Sequence, residues 1–206
     1  MVRLFGRTDG PAGGPIRYDS PFARSLAYLQ AAVAGSNLLV MGKPGVGKTT
    51  LVERVVAELR GRVRLAGFTT TEIRDSQGQR EGFSIVTVGG EQGELARVGA
   101  RSRVRVGRYG VNLEGFERLA LPELARRDVD LIVIDEIGKM ECCSGRFRRA
   151  VEDVLDARVN VLATLGIGRL PFFQALRERP DVELMTLTER NRDALVAELC
   201  QRLLHP

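Results

Sequence analysis

Leu38-Leu39-Val40-Met41-Gly42-Lys43-Pro44-Gly45-Val46-Gly47-Lys48-Thr49 is the stretch whose reading decides the fold. A short apolar run from Asn37 that stops at a glycine suits a buried parallel strand. Thr49 to Arg60 follows with Leu51, Val55, Val56 and Leu59 on one helical face. Between these two elements, Gly42 to Thr49 satisfies GxxxxGK[ST], the P-loop or Walker A pattern, in the strand-to-helix context that the pattern requires. Its glycines let successive backbone N–H groups turn onto a phosphate, and the helix N-terminus adds its positive end. Lys48 is placed to span the β- and γ-phosphates, and the Thr49 hydroxyl to hold Mg2+. The nucleotide-binding set is thus Gly42, Lys43, Pro44, Gly45, Val46, Gly47, Lys48, Thr49 and Thr50, of which spacing assigns no particular role to Lys43 or Thr50.

A second motif supplies the acid. Leu131-Ile132-Val133-Ile134-Asp135-Glu136 is four apolar residues followed by two carboxylates, the Walker B arrangement. A buried strand brings Asp135 to the edge of the sheet that faces the phosphate loop, where a carboxylate binds Mg2+ or its water shell. Glu136, one step further, is placed to polarise an attacking water as a general base.

Around these motifs the chain alternates strand and helix. Asp130–Ile134, Val159–Leu165 and Val182–Leu187 read as strands, and Phe147–Ala157, Pro171–Arg179 and Arg190–Leu204 as helices. Such alternation predicts an α/β fold, a mostly parallel sheet with helices on both faces. Residues 62–111 differ: Arg62–Phe68, Gly82–Val88, Glu94–Val98 and Arg103–Arg108 are short, β-rich and separated by glycines, which predicts an antiparallel β insertion. Residues 1–36 read as a glycine- and proline-rich arm leading to a helix that starts at Asp19-Ser20-Pro21 and stops near Gly35, and residues 37–206 as one domain.

Composition bounds the rest. The 206 residues are 44% hydrophobic and 28% charged, the balance of an ordinary globular chain. Ser25–Ala34 is too short to span a membrane, and Arg3 and Arg7 lead into glycine and proline rather than an apolar leader, so the expected compartment is cytoplasmic, with no membrane partner. Three cysteines without CxxC spacing and a single histidine, His205, argue against zinc or a Cys-His nucleophile. The net charge of +5 hints only weakly at polyanion binding. Only Lys43, Lys48 and Lys139 are lysines among 31 basic residues, so a lysine here invites a specific reason.

Asp135-Glu136-Ile137-Gly138-Lys139-Met140-Glu141 resembles the signature of the cancer-related nucleoside triphosphatase family, which has thermophilic prokaryotic members. Glu72-Ile73-Arg74 with Arg80-Glu81-Gly82-Phe83 is similar to a further family segment, as are Gly107-Arg108-Tyr109-Gly110-Val111 with Leu113-Glu114 and Phe116, and Asn191-Arg192-Asp193. The resemblance spans about residues 37–205 and implies a RecA-like P-loop core that hydrolyses several ribonucleoside triphosphates with Mg2+. The chain departs from the family pattern over residues 1–36, at Gly110, and at Ala163-Thr164-Leu165-Gly166, where a proline-containing turn is usual.

Lys139 either stabilises charge or pairs with Glu141 to pin the loop, and spacing leaves both readings open. Phosphoryl transfer also calls for an arginine at the γ-phosphate. Arg74, Arg80 and Arg108 are candidates, with Arg80 and Arg108 favoured because they lie in the family-like segments. Asn191 and Arg192, at the last strand-to-helix turn, are candidates for the nucleobase, although Asn191 also suits a helix cap.

Two rival functions use the same loop. A P-loop kinase would add an acceptor hydroxyl, but the sequence lacks an arginine-rich lid, Arg146, Arg148 and Arg149 being the nearest approach to one. A nucleic-acid-dependent ATPase is suggested by Arg101, Arg103 and Arg105 on one side of a strand, yet no aromatic residues interleave for base stacking, and a charged edge strand is the favoured account.

Overall fold

The computed structural model describes residues 35–204. The arm and helix expected over 1–34 lie outside the described residues. Nine strands form one sheet in the order β5-β6-β4-β3-β2-β7-β8-β1-β9. The strands are β1 (Asn37–Met41), β2 (Leu65–Arg74), β3 (Arg80–Thr87), β4 (Gln92–Val98), β5 (Arg105–Val106), β6 (Tyr109–Val111), β7 (Leu131–Ile137), β8 (Asn160–Leu165) and β9 (Val182–Thr186). Neighbours from β2 through β9 in that order run parallel, and the steps from β2 out to β5 are antiparallel. β8 separates the P-loop strand β1 from the Walker B strand β7, the RecA-like order.

Five helices cover this sheet among the described residues: α1 (Lys48–Leu59), α2 (Leu113–Leu124), α3 (Gly145–Leu155), α4 (Pro171–Arg177) and α5 (Arg192–Leu204). Side chains alternate faces along a strand, so both faces of a central strand must be apolar when helices cover both. On β1, Leu38 and Val40 pack with Leu51, Val55, Leu195 and Leu199 from α1 and α5. Leu39, between them, packs on the opposite side with Phe116, Phe147 and Phe173 from α2, α3 and α4.

Three parts of the observed fold differ from the expectation. Arg103–Arg108 is not one strand: the chain turns at Gly107-Arg108 between β5 and β6, and Arg101 and Arg103 lie outside any strand, so the three arginines do not form a stripe along one. β2 is not purely a strand of the insertion: Leu65–Thr69 pair in parallel with β7, and the strand then runs on to Arg74 while pairing antiparallel with β3. The β-branched run Thr69-Thr70-Thr71 sustains that extension past Phe68. The insertion is therefore a continuation of the main sheet. α2 has no counterpart in the sequence reading, since Gly115 and Pro122 both argue against helix. Tertiary packing overrides them by burying Phe116, Leu119, Ala120 and Leu124, and the Asn112 side chain caps the first turn by accepting from the Gly115 N–H at 3.0 Å.

Phe116 closes an aromatic triad, with ring centroids 5.6 Å from Phe68 and 5.1 Å from Phe147. Phe68 lies on β2 and Phe147 on α3, so this contact ties the extended strand to the helices beneath the parallel core. Phe116→Ala is expected to cost about 3–5 kcal/mol of unfolding free energy in denaturant titration. A loss under about 1 kcal/mol would show that the triad does not hold α2 in place.

Candidate active site

Parallel strands end on the same edge of the sheet, and β1, β7 and β8 bring Gly42, Asp135 and Thr164 to that edge. The P-loop turns there with Gly45 at φ 75° and Gly47 at φ 99°, left-handed conformations that a side chain rarely adopts. α1 starts immediately after Gly47. Lys48 folds back over the loop, its Nζ 3.4 Å from the Gly42 carbonyl and 3.6 Å from Glu136 Oε2. A cleft of about 740 Å³ opens above, lined by the P-loop, by Glu136 to Glu141, and by Glu72, Arg80 and Phe83 from the antiparallel strands.

Asp135 is buried at 1% exposure. Its Oδ1 accepts a short hydrogen bond from the Thr164 hydroxyl, while Oδ2 has no partner. Burial pushes its carboxyl up to about 6, against the opposing pull of the Thr164 and Thr49 hydroxyls. An orphaned carboxylate oxygen beside the Thr49 hydroxyl is a hard-oxygen donor pair at the phosphate edge. This pair fits Mg2+, which takes one or two protein oxygens and completes its octahedron with phosphate and water.

Glu136 stands at the cleft floor between two glycines, its Oε1 3.2 Å from the point where a Cβ at Gly138 would stand and 3.1 Å from that of Gly166. Glu141 is buried on the other side of Gly138, and burial, reinforced by the charges of Glu136 and Asp135, raises its carboxyl to about 8. The ordinary structural pairing of Lys139 with Glu141 is absent among the described residues, and exposed Lys139 instead lines the cleft with its stem 3.5 Å from the Cβ position of Gly168.

The arginines divide. Arg80 lines the cleft, ion-paired to Glu72 and with its guanidinium 5.6 Å from the Phe83 ring centroid. Arg74 shares Glu72. Arg108 does not line the cleft: it lies over Tyr109 and donates to the Arg80 carbonyl at 2.6 Å. At the far side of the P-loop, the Arg192 side chain lies 3.6 Å from the Cβ position of Gly47 and borders a smaller cavity of about 280 Å³ with Thr50 and Glu189. Asn191 is turned inward on its own turn, with Oδ1 accepting from the Thr188 N–H at 2.7 Å and Nδ2 donating to the Thr186 carbonyl at 2.9 Å. Its own carbonyl accepts from Leu195, the position of a helix cap, so both ends of its amide are engaged within the turn. Lys43 is exposed and outside both cavities.

Residues 37–200 match a protein-family model described as NTPase. The chain belongs to this NTPase family. It is 43% identical to the nucleoside-triphosphatase THEP1 of Thermotoga petrophila, covering 79% of this chain and 89% of that one. It is 37% identical to the cancer-related nucleoside-triphosphatase homolog of Mus musculus, over 79% and 94%. The crystal structure of THEP1 from Aquifex aeolicus superimposes with a TM-score of 0.74 at 38% identity, covering 82% of this chain and 99% of that one. For this NTPase two of the family-like segments quoted above come together in space: Glu72 with Arg80 and Phe83, and Glu136 with Gly138 to Glu141, line one cleft.

Two residues of this region were read from the sequence without a role of their own. Thr164 is the polar residue of an otherwise almost wholly apolar strand, a signal that could have marked it. Glu72 was read only as part of a segment, because its role depends on β2 continuing past Phe68. Among the described residues no helix is long and apolar enough to cross a membrane.

Burying Asp135 unpaired costs stability that a bound cation offsets. Asp135→Asn is therefore expected to leave the melting temperature in chelator unchanged or higher, and to abolish the rise that Mg2+ plus nucleoside diphosphate gives the parent. A rise of roughly 2–4 °C corresponds to about 1 kcal/mol for a chain of this size. A full Mg2+-dependent rise in the variant would remove Asp135 from the cation site.

Proposed function

We propose that this NTPase hydrolyses nucleoside triphosphates to the diphosphate and phosphate, with Mg2+ held by Asp135 and Thr49 and with Glu136 as the general base. The observation that supports this reading is the meeting of Glu136 and Lys48, 3.6 Å apart on the cleft floor beside the unpartnered oxygen of Asp135. In the proposed reaction the P-loop amides and Lys48 bind the β- and γ-phosphates, which draws Lys48 away from Glu136. The freed carboxylate accepts a proton from the water that attacks the γ-phosphorus, and the phosphorus–oxygen bond to the diphosphate breaks. Mg2+, which Asp135 and Thr49 would hold, would supply positive charge against the phosphate oxygens. Arg80 leaves Glu72 for the γ-phosphate as negative charge shifts to the leaving group, with Phe83 beneath its guanidinium. Arg192 is the proposed contact for the base or ribose, a reading supported by its side chain lying beside Gly47 of the P-loop. The reaction suits a cytoplasmic enzyme.

Water as acceptor is favoured over a kinase by the connection from α3 to β8, where Asp156 to Val159 leave no room for a lid. Arg146 and Arg148 are engaged elsewhere, on Glu117 and on the Cys142 carbonyl.

Phosphate release from ATP, GTP, CTP and UTP with Mg2+ and no acceptor checks the reaction, and silence until an acceptor is added would replace hydrolysis with a kinase. Glu136→Gln is expected to lower kcat by about 10²–10⁴ and leave nucleotide affinity within about threefold. Lys48→Ala lowers both. Glu136→Gln turning over at the parent rate would remove it as base. Arg80→Ala is expected to cost at least about 10³ in kcat, and Arg108→Ala far less; the reverse order would exchange their roles.

A further inference from the structure

Glu141 is a buried carboxyl group that the reaction above does not use. Its Oε2 lies 2.5 Å, and Glu136 Oε1 3.2 Å, from the single point where a Cβ at Gly138 would stand, so the two carboxyl groups close on the space that glycine leaves open. Glu141 lines the same cleft as Glu136.

The groups around it are mostly acidic or already engaged. β7 presents Asp135 and Glu136, and Lys48 from α1 pairs with Glu136. Arg148 from α3 is bound by the Cys142 carbonyl, and Arg177 from α4 by the Gly166 and Gly168 carbonyls. Glu117 from α2 accepts from Ser144 and Arg146. Lys139, Cys142 and Cys143 lie on its own loop, and among the described residues no lysine or arginine forms an ion pair with Glu141. A further negative charge without a cationic partner, at the floor of a site that receives a polyanion, is unfavourable, and a neutral acid is the alternative.

We propose that Glu141 is a positioning residue: as a neutral carboxylic acid it donates a hydrogen bond to the Glu136 carboxylate and holds that carboxylate turned toward the attacking water. This rests on Glu136 being the base. Burial, which raises Glu141 to about 8, agrees with a neutral group at pH 7. The sign for activity follows: the protonated form is the donor, so raising the pH through about 8 removes it and kcat falls.

The test compares Glu141→Gln, whose amide still donates but does not titrate, with Glu141→Met, which has similar bulk and no donor. Phosphate release from MgATP is followed from pH 6.5 to 9.5, with nucleotide affinity and circular dichroism as controls for binding and folding. Glu141→Gln is expected to keep kcat within about threefold at pH 7 and to lose the alkaline fall of the parent. Glu141→Met is expected to lose about 10–100-fold in kcat, the usual effect of removing an orienting partner, with KM little changed. Glu141→Gln as impaired as Glu141→Met, Glu141→Met at the parent rate, or an alkaline fall unchanged in Glu141→Gln would each overturn the proposal. Failure of the base assignment itself reads out separately, as turnover by Glu136→Gln.

Discussion

A carboxylate buried at the end of a parallel strand is the constraint around which this molecule is arranged. Asp135 is almost wholly removed from water, with one oxygen satisfied by Thr164 and the other by nothing in the chain. Such a group is costly in an isolated fold, and a ligand that completes it offsets that cost. Thr164 links the point to β8, the strand between β7 and β1, so the hydrogen bond spans the gap between the two nucleotide motifs. The order of strands and the acid's surroundings are thus one fact seen at two scales.

The charge balance of the cleft follows from the same edge. Lys48 and Glu136 neutralise each other, and Arg80 and Glu72 do likewise across the opening. On the proposed mechanism an incoming triphosphate competes for both cations and frees both carboxylates. Under the proposed reaction one of these is the base and the other is a resting partner for the arginine. The ion pairs of the cleft are thus the contacts that the proposed mechanism exchanges, and partly exposed pairs of this kind are weak enough to be exchanged.

Most of the parallel core was legible in the chain. Apolar runs that end at Gly42 and at Asp135 suit buried strands, and GxxxxGK[ST] between a strand and a helix has a local geometry that places Lys48 and Thr49. The helix at Leu113–Leu124 was not legible, because its local signals, Gly115 and Pro122, oppose helix, and only burial of Phe116 against Phe68 and Phe147 reverses them. The extension of β2 was hidden similarly, since a run of threonines is consistent with strand or loop until β3 pairs with it.

By itself the sequence determined the phosphate loop, the carboxylate pair, the parallel α/β core and the family, because each rests on short-range spacing and backbone geometry. Tertiary structure alone decided which arginine faces the cleft, that the Asn191 amide closes its own turn, that Thr164 reaches Asp135, and that Glu141 closes on Glu136 across Gly138. Those outcomes depend on distances between residues far apart in the chain and on removal of charge from water. Neither quantity exists before the strands are ordered and the core is closed.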